Sequence, residues 1–313
     1  MRYVVTGGAG FIGSHIVEHL VGAGAEVVVL DDLSTGKREN IAPWLAKLTL
    51  VEGSITDPKA CARAIAGADH VIHLAAIPSV PRSVADPGRS HDVNATGTLN
   101  VLVAARDARV KRVVYAASSS AYGDTAELPK HEAMAPRPRS PYAAAKLLGE
   151  GYCRAFHSSY GLPAIALRYF NVFGPRQDPK SEYAAVVPKF VTAALAGTAP
   201  VIYGDGGQTR DFTFIENVVR ANLAACSAPP TAFGEVFNIG CGERLSIADL
   251  WTRIATLVGT SVAARHEPAR PGDVRDSLAS LDRAKSVLGW RPTVPLDEGL
   301  RRTISSFRGA ARS

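Results

Sequence analysis

A glycine-rich turn at the start of the chain restricts the possible folds of this sequence more than any other feature. The run Tyr3–Thr6 has the pattern of a short buried strand, and it leads through the turn Gly7–Gly13 into an amphipathic helix. In such a turn Gly7 allows a sharp reversal, Gly10 lets the backbone approach a pyrophosphate, and Gly13 lets the helix pack closely on the strand. Since a helix N-terminus offers free amide groups to phosphate, the pattern predicts a dinucleotide site.

A carboxylate follows at the distance that such a site requires. The second apolar strand, Glu26–Leu30, ends at Asp31, about 20 residues beyond the turn. An aspartate at this place accepts hydrogen bonds from the hydroxyls of an adenosine ribose and repels the 2′-phosphate of NADP. The sequence therefore predicts NAD as the cofactor.

The composition is that of an ordinary soluble chain with one large or two intimately joined domains. Of its 313 residues, 46% are hydrophobic and 20% are charged, which is enough to bury a sizeable core. No apolar run approaches the ~20 residues of a membrane span, and the N-terminal run lacks the cleavage site of a signal peptide. The net charge of +6 comes from scattered basic residues, without the basic stripe of a nucleic-acid binder. We expect neither a membrane nor a nucleic acid as a partner.

The four cysteines indicate no metal site. They are Cys61, Cys153, Cys226 and Cys241, and they form no CxxC pair and no metal-ligand spacing with histidine. Small apolar buried cysteines are typical of proteins in a reducing compartment. We therefore expect a cytoplasmic protein without a metal centre.

Short β-branched segments alternate with helical segments up to residue 169. This alternation predicts the α/β class and a doubly wound parallel sheet, the Rossmann architecture. After Asn171 the pattern changes to loops, helices and proline-rich turns. We expect residues 1–169, joined by roughly 212–240, to form the NAD-binding domain, and residues 170–313 to form a smaller interleaved substrate-binding domain. The predicted elements are the strands Tyr3–Thr6, Glu26–Leu30, Leu48–Val51, His70–Leu74, Arg112–Ala117, Ala164–Tyr169 and Glu235–Ile239, and the helices Pro58–Ile65, Val93–Ala108, Tyr142–His157 and Ile215–Ala225.

Three residues in the middle of the chain have the spacing of a catalytic group. Tyr142 and Lys146 are four residues apart at the start of a predicted helix, which places them on one helical face. The lysine charge favours the phenolate, so we expect a lowered tyrosine pKa and a general base near neutral pH. Ser118 ends the preceding strand, at the edge where open α/β sheets bind ligands, and it can hydrogen-bond a reacting hydroxyl.

Together these segments resemble the extended short-chain dehydrogenase/reductase superfamily and, within it, the nucleotide-sugar 4-epimerases. The likeness runs along essentially the whole chain. It rests on the ordered motifs TGGAGFIGSH (Thr6–His15), HLAA (His73–Ala76), SSSAYGD (Ser118–Asp124), YAAAK (Tyr142–Lys146), RYFNVFGPRQ (Arg168–Gln177), GDGGQTRDF (Gly204–Phe212) and RPGD (Arg270–Asp273), and on Asn94.

The resemblance implies a set of residues for each part of the site. The implied catalytic residues are Ser118, Tyr142 and Lys146. The implied NAD-binding residues are Gly7, Gly10, Phe11, Ile12, Gly13, Asp31, Asp32, Ser54, Ile55, Leu74, Ala75, Ala76, Asn94, Tyr142, Lys146 and Tyr169. The implied substrate-binding residues are Ser118, Ser119, Tyr142, Asn171, Ala185, Val186, Pro188, Tyr203, Arg210, Arg270, Asp273 and Ser277. Ser54 departs from the family pattern, which has an acidic residue there to contact the adenine.

The implied activity is 4-epimerisation of a UDP-hexose through a transient 4-keto sugar. Tyr142 would remove the proton of the sugar 4-hydroxyl while carbon 4 gives a hydride to NAD. The keto sugar would then turn over and take the hydride back on its other face. Arginines such as Arg210 and Arg270 suit the diphosphate, because their planar forks make paired hydrogen bonds that anchor the sugar as it turns.

Ser277 bears on which sugar is used. Many family members restricted to glucose and galactose have a bulky tyrosine at this place, whereas a serine leaves room for a 2-acetamido group. The resemblance puts Ser119 and Ala185 on the same wall. We expect UDP-N-acetylglucosamine and UDP-N-acetylgalactosamine as substrates, with UDP-glucose and UDP-galactose also accepted.

Several alternatives stay open. A UDP-glucuronate 4-epimerase is the nearest, followed by a nucleotide-sugar dehydratase or decarboxylase of the same superfamily. Dehydratases commonly use an Asp-Glu pair where this chain has Ser119 and Ser120. A non-catalytic NAD-binding protein typically lacks the tyrosine or the lysine. The predicted helices Val93–Ala108 and Tyr142–His157 resemble those that pair across a two-fold axis in the family, so we expect a homodimer.

Overall fold

The computed structural model describes residues 1–179, 185–269 and 274–310. Its strands are β1 (Arg2–Thr6), β2 (Glu26–Asp31), β3 (Leu48–Glu52), β4 (His70–His73), β5 (Arg112–Ser118), β6 (Ala164–Tyr169), β7 (Val172–Phe173), β8 (Val201–Tyr203), β9 (Thr209–Arg210), β10 (Thr213–Phe214), β11 (Val236–Ile239), β12 (Leu245–Ser246) and β13 (Arg265–Glu267). Its α-helices are α1 (Phe11–Gly22), α2 (Pro58–Ile65), α3 (Val80–Ala85), α4 (Pro87–His91), α5 (Gly97–Asp107), α6 (Pro141–Tyr160), α7 (Val186–Ala196), α8 (Ile215–Cys226), α9 (Ile247–Val258), α10 (Asp282–Leu288) and α11 (Leu296–Ala310).

Seven strands form a parallel sheet in the order β3-β2-β1-β4-β5-β6-β11. The order along the chain reverses between β1 and β4, and open α/β sheets bind their ligands at such a switch point, beyond the carboxyl ends of the strands. The predicted α/β class and the doubly wound parallel sheet are confirmed, and each predicted strand lies within one residue of its observed bounds.

Different helices cover the two faces of the sheet. Along β1, Val5 belongs to one apolar cluster and Val4 to the other, since side chains alternate along a strand. Helices α1 and α8 pack together, as do α2, α5 and α6. The uninterrupted apolar run Val27–Leu30 is buried throughout, as expected for a strand covered on both faces. The strand ends are therefore where polar side chains can meet a ligand.

Most of the chain after β6 builds short sheets and a second helical cluster. Strand β7 pairs with β10, β8 with β13 and β9 with β12, and α7, α9 and α11 pack on one another. Two segments return to the large sheet, because α8 packs on α1 and β11 pairs with β6. The division of the chain at residue 169 stays a prediction.

The predicted helix Val93–Ala108 begins later than expected. Asp92–Thr96 forms a single turn of π-helix, and the α-helix starts only at Gly97. A Cβ atom on Gly97 would lie 2.6 Å from the Ile55 side chain, so only glycine allows this close approach. The π-turn buries Asn94, and such turns often occur at functional sites.

The fold shows the state of the cysteines and the character of the helices. The cysteines carry free thiols, and Cys61, Cys153 and Cys226 are buried. None of the helices in the described segments is both long and apolar enough to span a bilayer.

Candidate active site

The glycine turn lies between β1 and α1 with its backbone tightly enclosed. Gly7 has a φ of 69°, and a Cβ atom there would lie 2.8 Å from Ala75. A Cβ atom on Gly13 would lie 2.1 Å from the Gly7 carbonyl oxygen. Gly10 caps α1 without a side-chain hydrogen bond, and the first turn, which begins with Phe11 and Ile12, carries no acidic residue. The helix thus presents uncapped amides and a positive end, which fit a pyrophosphate.

Asp31 ends β2, and its carboxylate is hydrogen-bonded to the backbone of this turn. Its Oδ2 accepts the Ala9 amide at 2.8 Å and its Oδ1 accepts the Leu33 amide at 2.9 Å. Burial raises the pKa of this carboxyl group. Each carboxylate oxygen keeps a second lone pair, so Asp31 can still accept ribose hydroxyls. The predicted neighbour Asp32 is exposed, and its carboxylate accepts hydrogen bonds from Ser34.

The loop after β4 lies against the glycine turn. The Leu74 and Ala75 amides each donate to the Thr6 hydroxyl at 3.2 Å, and Ala76 follows them. Asn94 is buried, and its side chain is engaged with the backbone of Ile77, accepting at 2.8 Å and donating at 3.1 Å. The structure therefore places Asn94 as a brace of this loop.

The remaining predicted cofactor residues follow β3 or end β6. Ile55 is buried, while the Ser54 hydroxyl accepts hydrogen bonds from Thr56 in a local turn. Tyr169, at the end of β6, is buried and donates its hydroxyl to Asn222 of α8 at 2.9 Å. Its hydroxyl is thus already engaged by α8.

The structure brings Ser118, Tyr142 and Lys146 together. Ser118 ends β5, and its hydroxyl lies in hydrogen-bonding range of the Tyr142 hydroxyl. Ser120 donates to the Ser118 oxygen through its amide at 3.2 Å and its hydroxyl at 2.8 Å, which leaves the Ser118 proton for Tyr142. Tyr142 occupies the first turn of α6, which begins at Pro141 and is capped by the Ser140 hydroxyl.

Lys146 lies one turn further along α6 with its ammonium group buried. Its side chain donates to the Ala116 carbonyl at 2.9 Å and lies 5.0 Å from the centre of the Tyr115 ring. Burial lowers the pKa of this ammonium group to about 8. The lysine is therefore held in place by β5 and is close to losing its charge at mildly alkaline pH.

The expectation that Lys146 lowers the pKa of Tyr142 is wrong for this structure. Burial of the phenol raises the pKa of Tyr142, because the phenolate loses its hydration, and the hydrogen bond with Ser118 only opposes this effect. The lysine charge is directed instead at the Ala116 carbonyl. The neutral phenol is the favoured form here.

A cavity of about 430 Å³ is lined by residues of the second lobe, from Asn171 to Ile247. Five predicted substrate residues line it: Asn171, Ala185, Val186, Tyr203 and Arg210. Asn171 follows Tyr169, which lies beside Ser118 in the sheet register. Asn171 therefore connects the cavity wall, through two residues of chain, to the strand that pairs with β5.

The structure separates some predicted substrate residues from this cavity. Pro188 is buried within α7, and Ser119 begins the short 3₁₀ turn after β5. Ser277 is half-buried, and its amide donates to the Thr209 carbonyl at 3.1 Å. It therefore lies next to Arg210 without lining the cavity itself. Arg270 and Asp273 lie outside the described residues.

Sequence reasoning missed much of the cavity wall. Gln208 donates to the Tyr203 carbonyl at 2.8 Å and so shapes the loop between β8 and β9. Lys189 and Arg210 are the charged side chains on the described part of the wall, and both are cationic. The amphipathic pattern of Val186–Ala196 could have identified Val187 and Phe190. The wall residues not predicted are Val172, Val187, Lys189, Phe190, Pro200, Val201, Ile202, Gln208, Phe212 and Ile247.

The described residues contain no group of three or more histidine, cysteine, aspartate or glutamate side chains placed to hold a metal. The polar groups of the site are instead the hydroxyls, the lysine and the arginine named above. These suit proton movement and anion binding.

Comparison with known proteins gives a consistent family. The profile of the "NAD dependent epimerase/dehydratase family" matches residues 3–240. A UDP-glucose 4-epimerase from Mycolicibacterium smegmatis is 42% identical, with the full length of both chains aligned.

Two solved structures are similar along nearly the whole chain. A UDP-glucose 4-epimerase from Thermotoga maritima, solved with UDP-glucose, has a TM-score of 0.95 and 39% identity, covering 99% of this chain and all of its own. A UDP-N-acetylglucosamine 4-epimerase from Methanobrevibacter ruminantium, solved with UDP-N-acetylmuramic acid, has a TM-score of 0.94 and 39% identity, covering 99% and 98%.

The family match covers the glycine turn, Asp31 and the helix that carries Tyr142 and Lys146. The predicted superfamily and the prediction of NAD as cofactor are thereby confirmed. The chain belongs to the NAD dependent epimerase/dehydratase family.

Proposed function

We propose that the protein epimerises carbon 4 of a UDP-hexose, with UDP-N-acetylglucosamine and UDP-N-acetylgalactosamine preferred and UDP-glucose and UDP-galactose also accepted. The observation that carries this proposal is the pairing of the Ser118 and Tyr142 hydroxyls, in a chain whose second lobe holds a cavity with cationic residues on its described wall. Residues 1–169, with roughly 212–240, would hold NAD. Residues 170–313 would hold the nucleotide sugar.

In this proposal the chain supplies the movement of one proton. Tyr142 takes the proton of the sugar 4-hydroxyl and later returns it, and Ser118 steadies the oxygen between the two events. Bound NAD supplies the hydride acceptor and, afterwards, the hydride donor. Because the pKa of Tyr142 is raised in the protein alone, its deprotonation needs the positive charge that Lys146 and the oxidised cofactor bring to the site.

The residues around the glycine turn fit NAD in this role. The uncapped amides after Gly10 would hold the pyrophosphate, and Asp31 would accept the adenosine ribose hydroxyls. The loop at Leu74 and Ala75 would close the cleft from the other side, and Tyr169 would flank the nicotinamide. The hydride returns to the same sugar, so the cofactor stays bound through many turnovers.

The second lobe would hold the uridine diphosphate while the sugar turns. Arg210 would pair with the diphosphate, and Asn171 and Tyr203 would position the nucleotide. Remote binding of this kind keeps the keto sugar in place during its rotation. Arg270 and Asp273 are proposed for the same grip on the basis of the sequence motif alone.

The size of Ser277 supports a sugar with a 2-acetamido group. It lies on the segment beside Arg210, and by the sequence resemblance a small side chain here would leave space next to the hexose. The relatives named above include epimerases of both sugar types, so family membership by itself supports either one. A UDP-glucuronate 4-epimerase is the second candidate, and its substrate would place a carboxylate near the cationic wall of the cavity.

We also infer a homodimer with α5 and α6 at its centre. Leu148 of α6 and Val80 and Val84 of α3 are exposed apolar side chains, and α3 packs on α6. A second copy related by two-fold symmetry would cover them. Sedimentation analysis of Leu148→Asp against wild type tests this inference, and a monomeric wild type would overturn it.

The proposed activity is tested by separate incubations with UDP-N-acetylglucosamine, UDP-glucose and UDP-glucuronate, with the products identified by NMR. We expect inversion at carbon 4 of the first two and the larger kcat/KM for the first. Conversion of UDP-glucuronate alone would establish the second candidate. Loss of water or of CO₂ from any of the three would contradict an epimerase.

A further inference from the structure

We propose that His73 is a positioning residue of the cofactor cleft, hydrogen-bonded between Thr6 and Thr98 so that the glycine turn, the Asn94 turn and helix α6 keep one arrangement. This inference rests on the proposed function, because it takes Tyr142 and Lys146 of α6 as reacting groups. His73 ends β4 and is 1% exposed, so its ring nitrogens depend entirely on protein partners.

The hydrogen bonds at Thr98 determine which ring nitrogen carries the proton. The Thr98 hydroxyl gives its single proton to the Asn94 carbonyl at 2.8 Å, so its oxygen must accept from Nε2 of His73. On the other side of the ring, the Thr6 hydroxyl accepts the Ala75 amide at 3.2 Å and shares the Leu74 amide with the Thr6 main-chain carbonyl. Its own proton points to Nδ1 of His73, which lies 2.7 Å away. Nδ1 is therefore an acceptor, and the hydrogen of a neutral ring is on Nε2.

The chain of donors continues on the other side of the ring. Nε2 of His73 donates to the Thr98 hydroxyl oxygen at 3.0 Å, and the Thr98 hydroxyl donates to the Asn94 carbonyl at 2.8 Å. Asn94 in turn brackets the backbone of Ile77. One imidazole thus connects the turn that receives the pyrophosphate to the loop that closes the cleft.

The same network reaches the catalytic helix. The Tyr115 ring lies 5.6 Å from the His73 ring, centre to centre, and the Tyr115 hydroxyl donates to the main-chain carbonyl of Lys146 at 3.3 Å. The Tyr115 ring lies beneath the Lys146 ammonium group, 5.0 Å from ring centre to nitrogen. A shift of His73 would therefore be transmitted both to the glycine turn and to Lys146.

A charged ring would break this network. A second hydrogen, on Nδ1, would face the proton that Thr6 donates. Burial, and then the charge of Lys146, lower the pKa of His73 to about 3, so the ring is neutral throughout the physiological range. His73 consequently acts through its fixed tautomer and not by moving a proton.

The tautomer can be measured directly in the protein with its NAD bound. We expect ¹⁵N NMR of the His73 ring to show a protonated Nε2 and an unprotonated Nδ1, with no change between about pH 6 and 9. Titration of this ring within that range, or a hydrogen on Nδ1, would overturn the proposal. This measurement needs no substitution and is independent of substrate turnover.

Replacement of the ring tests its effect on the cofactor. His73→Phe keeps a planar ring and removes both hydrogen bonds, and we expect bound NAD to dissociate about tenfold faster, as for the loss of one to two net hydrogen bonds. Thr98→Val should act in the same direction. Release is followed by the fluorescence of NADH loaded into the protein, without any UDP-sugar, so its outcome is separate from that of the proposed epimerase activity.

His70→Phe is the matched control on the same strand. His70 is also buried, its ring stacks on Tyr3 at 4.9 Å, and its Nδ1 has no hydrogen-bond partner within the described residues. A phenylalanine there should keep the stacking and leave NAD release unchanged. Equal NAD release from the two phenylalanine variants, at equal Tm, would contradict a positioning role for His73.

Discussion

Arg168 and Glu150 form a two-point ion pair in the interior, with Nε 2.8 Å from Oε1 and Nη2 2.6 Å from Oε2. Their side chains are 3% and 4% exposed. Glu150 lies one helical turn beyond Lys146 on α6, and Arg168 precedes Tyr169 on β6. The guanidinium also lies 4.5 Å from the centre of the Tyr122 ring. The pair therefore fastens the catalytic helix to the strand beside it.

Loss of one partner of this pair should be costly. Glu150→Gln leaves the Arg168 charge buried without a counter-ion, and we expect the free energy of unfolding to fall by about 3–5 kcal/mol. The double variant Glu150→Leu with Arg168→Met removes both charges and should recover most of that loss. Urea denaturation of the three proteins measures both effects.

The exposed pair Arg253 and Asp297 provides the comparison. Its atoms lie 2.9 Å apart with side chains 47% and 48% exposed, so Asp297→Asn should cost at most about 1 kcal/mol. An equally small cost for Glu150→Gln would show that the interior pair does not hold α6 in place.

Two glycines of α6 should respond to alanine in opposite ways. A Cβ atom on Gly149 would lie 2.4 Å from the Tyr115 ring, while one on Gly151 would meet nothing within 4 Å. Gly151→Ala should stabilise the protein by up to ~1 kcal/mol, since glycine is a poor helix former. Gly149→Ala should destabilise it by about 1–3 kcal/mol, because Tyr115 is buried and must move. Thermal unfolding compares them, and stabilisation by both would refute the close packing at Gly149.

The sequence predicts the sheet well because local pattern determines it. The run Val27–Leu30 has the pattern of a strand buried on both faces. The turn Gly7–Gly13 shows where the neighbouring strand β1 ends and where helix α1 begins. The π-turn at Asp92–Thr96 was not predicted, since its wider winding depends on the tertiary packing around Asn94. The 3.6-residue periodicity that identifies an α-helix does not reveal a π-turn.

The sequence proposes residues for the site but does not give their contacts. The four-residue spacing pointed to Tyr142 and Lys146, yet burial raises the pKa of Tyr142, and only the hydrogen bond with Ser118 opposes this effect. The partner of Glu150 and the two partners of His73 lie 18 to 67 residues away in the chain, and no local pattern reveals such pairs.

Activity should decline at alkaline pH if the charge of Lys146 assists Tyr142. Burial lowers the pKa of Lys146 to about 8, so the ammonium group loses its proton as the pH rises through that value, and kcat should fall with it. In Lys146→Arg the guanidinium stays charged, and the decline should move to higher pH even where the overall rate is lower.

The kcat–pH profile of both proteins gives the comparison. Lys111→Arg replaces an exposed lysine paired with Asp69 and should leave the profile unchanged. An alkaline decline at the same pH in wild type and Lys146→Arg would exclude Lys146 as its source.

Ser277→Tyr separates sugar specificity from catalysis. The added ring should fill the space assigned to the acetamido group, at about 1–3 kcal/mol, or roughly 5- to 150-fold. The penalty should fall on UDP-N-acetylglucosamine and largely spare UDP-glucose, so the ratio of their kcat/KM values should drop. Ser305→Tyr, at an exposed position of α11, should leave the ratio unchanged. A constant ratio in Ser277→Tyr would mean that Ser277 does not face the sugar.

The most direct measurement uses UDP-N-acetylglucosamine with deuterium at carbon 4, incubated in ordinary water. Hydride transfer within one bound molecule predicts that the UDP-N-acetylgalactosamine formed retains the deuterium at carbon 4, as read by NMR and mass spectrometry. Tyr142→Phe, which removes the proton carrier and keeps the ring, should form this product at least ~100-fold more slowly. Exchange of the label with solvent hydrogen, or unimpaired turnover by Tyr142→Phe, would contradict a redox epimerisation that depends on Tyr142.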